Sequence, residues 1–151
     1  MKLDRATLCL ATRNRHVAHA FYTALGFTTG GELGADGLPE PLQFEISDGL
    51  RVMLIPTRGF GWLIGDRQRS PRNTHEHVVL IGLATDAAVD ELMRRAHAAG
   101  AKTVMEAGNQ QWGYGGAFDD PDGHMWQVTR ADGFLTRSHL RRDAGTRASR
   151  R

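Results

Sequence analysis

At 151 residues the chain has room for one ordinary domain or two small modules sharing a core, and its 40% hydrophobic and 24% charged content excludes bulk disorder. No apolar run reaches the roughly 18 to 20 residues that span a bilayer, and a lone cysteine, Cys9, excludes an intrachain disulfide and a cysteine-based zinc site. The net charge of +2 belongs to the C-terminal end, where Arg137, Arg141, Arg142, Arg147, Arg150 and Arg151 are opposed only by Asp143; the remainder is slightly acidic.

The opening MKLDRATLCL enters a strand pattern at once and lacks the apolar region and cleavage site of a signal peptide. No Sec-type signal is therefore expected, and a reducing cytosol is the expected compartment. Residues 6–12 read as a short buried strand. Asn14 to Leu25 reads as a helix with Asn14 as N-cap, an apolar stripe of Val17, Phe21 and Leu25, and Gly26 as its C-terminal stop. After a glycine-rich turn come two strands, LQFEIS and LRVMLI, joined at Asp48-Gly49, a hairpin signal. Residues 56–75, rich in proline, glycine and mixed charge, read as a connecting arm or long loop.

The same order then returns. EHVVLIGLA reads as a strand, and Asp86 caps a helix striped by Val89, Leu92, Met93 and Ala96 that ends near Gly100. AKTVME follows, then a loop AGNQQWGYG, then GAFDDP and HMWQVTR around Asp122-Gly123. Each half reads strand, helix, three strands. FEISDGLRVML from Phe44 and FDDPDGHMWQV from Phe118 share Phe, Asp and Gly without a gap, so we read an internal duplication. Two βαβββ modules side by side predict an α+β fold whose curved, mostly antiparallel sheets form a cup with a face free for a ligand. Strand alternation puts Trp126 and Val128 in the core and leaves Met53 and Gln127 towards the cup.

FYTALGF, from Phe21 to Phe27, and FDDPDGHMWQV are similar to the helix end and closing hairpin of the vicinal-oxygen-chelate superfamily, the glyoxalase/bleomycin-resistance/dioxygenase proteins; Ala98-Ala99-Gly100-Ala101 fits the end of that family's second helix. The resemblance spans about residues 5–130. It implies a domain at 1–130 with modules at about 5–56 and 76–130, an arm at 57–75, and a basic tail at 131–151. It specifies the fold and leaves the reaction open, because the family includes lyases, isomerases, dioxygenases and non-catalytic binders. In its metal-dependent members four cup-facing side chains hold the ion. The matching positions here are Thr7, Met53, His77 and Gln127, of which only His77 is a good divalent-metal ligand.

The cup residues expected to meet a ligand are Thr7, Cys9, Arg51, Met53, Phe60, Trp62, His77, Trp112, Tyr114 and Gln127. Cys9 reads as a small buried hydrophobe, with a reactive pocket thiol as the alternative. Phe60, Trp62, Trp112 and Tyr114 lie on loops where aromatics stack on planar ligands or cover a core. Gly113, Gly115 and Gly116 suggest a tight, mobile loop. Asp119, Asp120 and Asp122 read as turn formers, and His124 as structural. The leading reading is a metal-free, cytosolic small-molecule binder, a homodimer by resemblance, with no cofactor. The alternative is a glyoxalase-like lyase or isomerase with a divalent metal at His77 and Gln127. A third is nucleic-acid association through the arginine tail.

Overall fold

The computed structural model describes residues 5–65, 67–72 and 74–132. The arginine-rich tail from residue 133, and with it any nucleic-acid reading, lies outside the described residues. The first module runs β1 (Ala6–Thr12), α1 (Arg15–Ala24), β2 (Thr28–Thr29), β3 (Gln43–Ser47) and β4 (Leu50–Pro56). A linking helix α2 (Thr57–Leu63) follows. The second module runs β5 (Val79–Leu83), α3 (Asp86–Ala98), β6 (Lys102–Gln110), β7 (Gly113–Asp119) and β8 (Met125–Arg130). Their sheets have the same order, β1-β4-β3-β2 and β5-β8-β7-β6. In each, the first and last strands of the module pair in parallel and the others are antiparallel. The expected α+β duplication is thus present as two mixed four-stranded sheets that do not close on each other, as a cup requires.

Local chemistry sets the helix ends. Asn14 accepts from the backbone N–H groups of His16 (3.0 Å) and Val17 (3.2 Å), and Gly26 takes φ +93° after α1. The cap of α3 is Thr85, whose hydroxyl accepts from Ala88 N at 3.1 Å, one residue earlier than the expected Asp86. Asp86 sits instead in the first turn, where the helix dipole favours a carboxylate. The stripe of α3 is buried as read, but α1 is rotated. Ala18, Phe21, Tyr22 and Leu25 are buried while Val17 is exposed, because Tyr22 is drawn inwards by an acceptor in the other module.

One aromatic core joins the modules. Tyr22 lies 5.3 Å from Phe44 and 5.5 Å from Trp126, and Phe21 lies 6.2 Å from Phe118. Phe21, Tyr22, Phe44, Phe118 and Trp126 are all but fully buried. At about 1.5–3 kcal/mol for each large apolar side chain buried, this cluster fixes one sheet relative to the other.

Two segments depart from expectation. The arm begins as α2 despite Gly59 and Gly61, because it lies over the end of β4: a Cβ at Gly59 would be 3.2 Å from Ile55 Cγ2. The loop AGNQQWGYG is the tip of a β6–β7 hairpin in which Gln110 pairs with Gly113, leaving Gln111 and Trp112 as the turn. Gly115 and Gly116 are strand residues rather than loop residues. A Cβ at Gly115 would fall 2.6 Å from Val128 O, and one at Gly116 would meet Met93 Cε at 2.9 Å. No helix among the described residues is long and apolar enough to cross a membrane.

Candidate functional site

The strand registers sort the open faces into rows. In the first sheet Thr7, Arg51 and Glu45 form one row, Cys9, Met53 and Gln43 the next, and Ala11 with Ile55 a third. The core faces of the same strands carry Leu10, Thr12, Val52, Leu54 and Phe44, all buried. In the second sheet the open rows are Leu80, Gln127 and Ala117, and Met125, Asp119 and Lys102.

The duplicated hairpins carry different electrostatics on these faces. Arg51 pairs with Glu45 across two strands, and the hydrogen bond holds the Glu45 carboxyl below its ordinary range. In the second module the positions of Glu45 and Arg51 are taken by Asp119 and Met125. The arginine is gone, Asp119 is buried, and among the described residues its Oδ1 has no hydrogen-bond partner.

A cavity of about 760 Å³ opens where β1's exposed face meets three other parts of the chain. Cys9, Leu10 and Ala11 come from β1, and Phe60 and Ile64 from α2 and its end. The connecting segment supplies Arg69, Arg72, His75 and His77; the β7–β8 turn supplies Asp122 and His124. The turn is held against β1 by a clasp of hydrogen bonds. Asp122 Oδ2 accepts from the Thr12 hydroxyl at 2.6 Å, and its Oδ1 accepts from Arg13 N at 3.1 Å. His124 Nε2 lies 2.7 Å from Ala11 O, an acceptor, so that nitrogen carries the hydrogen. Arg72 donates to Pro121 O at 2.9 Å and ties the connecting segment to the same turn.

Beneath the clasp, Asp120 organises the turn. Its Oδ1 accepts from Asp122 N (2.9 Å) and His124 N (2.8 Å), and its Oδ2 accepts from the Tyr22 hydroxyl at 2.5 Å. Burial pushes the Asp120 carboxyl up, partly opposed by its hydrogen bonds and by His124. Burial, and then the charge of Asp120, holds the Tyr22 phenol well above its ordinary value. The acidic run expected only to form a turn therefore also joins the two modules.

Of the residues expected in the cup, Cys9, Phe60 and His77 meet in this cavity. Arg51 lines a separate hollow of about 300 Å³ with Thr28, Gln43 and Glu45. Thr7 and Met53 share the open face of β1 and β4, and Gln127 lies on β8 opposite Leu80; none of these three lines the large cavity. Trp62 is 80% exposed on α2 and Trp112 forms the β6–β7 turn. Tyr114 points to the helix side, donating to Asp90 Oδ1 on α3 at 2.7 Å, and packs against the core rather than the cup. Ile64, Arg69, Arg72 and His124 were not anticipated as lining. Three of them carry a sequence signal in hindsight, the arginine-rich arm and the histidine of the closing hairpin.

A family model described as Glyoxalase/Bleomycin resistance protein/Dioxygenase superfamily matches residues 3–128. The chain belongs to this superfamily. Among solved structures, it is similar to a hypothetical protein from S. aureus, with 24% identity, 86% of this chain and 95% of that one covered, and a TM-score of 0.72. A glyoxalase-related enzyme from Fulvimarina pelagi matches at 20% identity over 82% of this chain and 84% of that one, TM-score 0.68. A glyoxalase/bleomycin resistance protein/dioxygenase family enzyme from Burkholderia phytofirmans matches at 18% identity over 85% and 99%, TM-score 0.66. These likenesses concern the fold. A search of curated proteins found no match to this sequence.

The glyoxalase superfamily's metal position can be tested against the residues present. Cys9 is in register with Met53, and Leu80 with Gln127, so Thr7, two residues before Cys9, corresponds to Val78, two before Leu80. His77 falls one residue earlier, outside β5. Thr7, Met53, Val78 and Gln127 offer a hydroxyl, a thioether, an aliphatic chain and an amide, a set that does not fit a hard divalent ion. Among the described residues no three or more His, Cys, Asp or Glu side chains gather as a metal site.

Proposed function

We propose that the chain binds a small, at least partly aromatic or apolar molecule in the 760 Å³ cavity, without a resident metal, and that its service is to sequester a toxic or antibiotic compound. The cavity itself carries this reading. It is assembled from both modules and the arm between them, it sets a small apolar floor beside many polar and charged groups, and its volume is that of small-molecule pockets. Sequestration is the role that the bleomycin-resistance branch of the family name suggests. The competing reading, a metal-dependent lyase or isomerase on His77 and Gln127, is weakened by the register, since Gln127 does not line the cavity that His77 lines.

A homodimer goes with this proposal. Val78 and Leu80 at the β5 edge of the second sheet are 43% and 37% exposed, and Val104 on the opposite edge strand β6 is 48% exposed, apolar groups that a second copy would cover. A cytosolic location goes with it too, since Cys9 is a free thiol.

The test is a thermal-shift screen of tag-free, EDTA-treated protein against planar drugs and thiol conjugates. A ligand at 100 times its Kd adds about 2.7 kcal/mol of stability, a rise easily read. Hits in EDTA support the reading; hits that appear only after a divalent metal is restored support the lyase or isomerase instead.

A further inference from the structure

We propose that the occupant of this cavity is an amphipathic anion, an aromatic or apolar body bearing a carboxylate, sulfonate or phosphate. The proposal rests on the cavity being the ligand site and adds the chemical class of the ligand.

The lining divides by chemistry. Ala11, Phe60 and Ile64 give an apolar floor, while Arg69, Arg72, His75 and His77 stand together on the connecting segment. Two carboxylates also reach the lining. Asp122 is already engaged, accepting from the Thr12 hydroxyl and from the backbone and side chain of Arg13. Glu76 is exposed between the two histidines. Arg72 uses one N–H on Pro121 O and has others to offer. Among the described residues, no salt bridge joins Arg69 or Arg72 to a carboxylate.

This cationic wall does not reflect a generally basic body. Through Asp132 acidic residues outnumber basic ones, so the concentration of arginine at this mouth is local. With Asp122 paired to Arg13, the guanidinium groups of Arg69 and Arg72 outnumber the remaining carboxylate, Glu76, and a net positive cleft draws the opposite charge in. Guanidinium groups bind flat oxyanions through paired hydrogen bonds, and an apolar floor beside them selects against small inorganic anions.

A pair of dyes that differ in charge tests this. Anilinonaphthalene sulfonate is an aromatic anion, and N-phenylnaphthylamine is its neutral counterpart. The wild-type chain is expected to bind the sulfonate at least about tenfold tighter than the amine. The double variant Arg69→Gln/Arg72→Gln should bind the sulfonate about tenfold to a hundredfold more weakly with amine affinity unchanged, and its melting temperature should fall by no more than about 5 °C for the lost bond to Pro121 O. Arg58→Gln, on α2 away from the lining, should change neither. Equal affinity of the two dyes for wild type, no binding of either, or the same loss in Arg58→Gln overturns the proposal. Ala11→Phe, which narrows the cavity, separates this inference from the reading beneath it. Loss of both dyes on that variant supports the cavity as the site, whereas unchanged binding of both places them elsewhere and overturns that reading. Ile64→Trp repeats the comparison if Ala11→Phe does not fold.

Discussion

The bond from Tyr22 to Asp120 ties α1 of one module to the turn that walls the cavity from the other, and Tyr22→Phe removes only its hydroxyl. The ring keeps its contacts with Phe44 and Trp126, so little apolar burial is lost. What is lost is a 2.5 Å hydrogen bond to a buried carboxylate, whose Oδ2 then has no other partner among the described residues. Hydrogen bonds to charged groups contribute about 1.5–3 kcal/mol, so a loss of about 2–3 kcal/mol follows. For a chain of this size that lowers Tm by about 5–10 °C. Calorimetry of Tyr22→Phe, Asp120→Asn and the double variant should show a coupling of about 1–3 kcal/mol between the two sites. The sign with pH is also set. Burial and Asp120 raise the Tyr22 phenol in the folded state, so the fold's advantage is complete below the unfolded value of about 10 and is lost as pH rises from there through the folded value. The gap between wild type and Tyr22→Phe should therefore narrow above about pH 10. A Tm for Tyr22→Phe within about 1 °C of wild type at neutral pH, or no coupling in the cycle, refutes this reasoning.

Gly115→Ala should destabilise the chain by about 1–3 kcal/mol or more in denaturant melts, since its Cβ would fall 2.6 Å from a backbone oxygen of β8; Gly61→Ala, with nothing near its Cβ on α2, should be neutral or stabilising. Asp119→Asn removes a buried charge that Met125 cannot pair, and should raise Tm by about 2–4 °C, corresponding to roughly 1 kcal/mol. Loss of stability in Asp119→Asn would show that the carboxylate has a partner the fold depends on.

Features with a local cause were legible in the sequence. Asn14 capping α1, the buried stripe of α3 and the hairpin at Asp48-Gly49 each rest on neighbours within a few residues. The duplication extended that reach, since equivalent hairpins implied equivalent sheets. Features with a distant cause were not legible. Tyr22 turns inwards because of Asp120, 98 residues away, and no local pattern announces such a pair. The helix α2 forms against the grain of its glycines because β4 lies beneath it. Gly115 looked like loop flexibility and is a close strand contact. The count that reached His77 from the sequence and the count back from the pairing of Leu80 with Gln127, which reaches Val78, differ by one residue, and one residue of slip along a strand moves a side chain to the opposite face.

A ligand held in this cavity without a metal is what the lining and the register together call for. Calorimetric titration of the strongest thermal-shift hit into tag-free protein freed of metal by EDTA tests it most directly. One ligand per cavity, bound with full affinity in EDTA and abolished by Ala11→Phe, is the expected result. Binding that appears only when one equivalent of divalent ion is restored, and that disappears with His77→Ala, would contradict it.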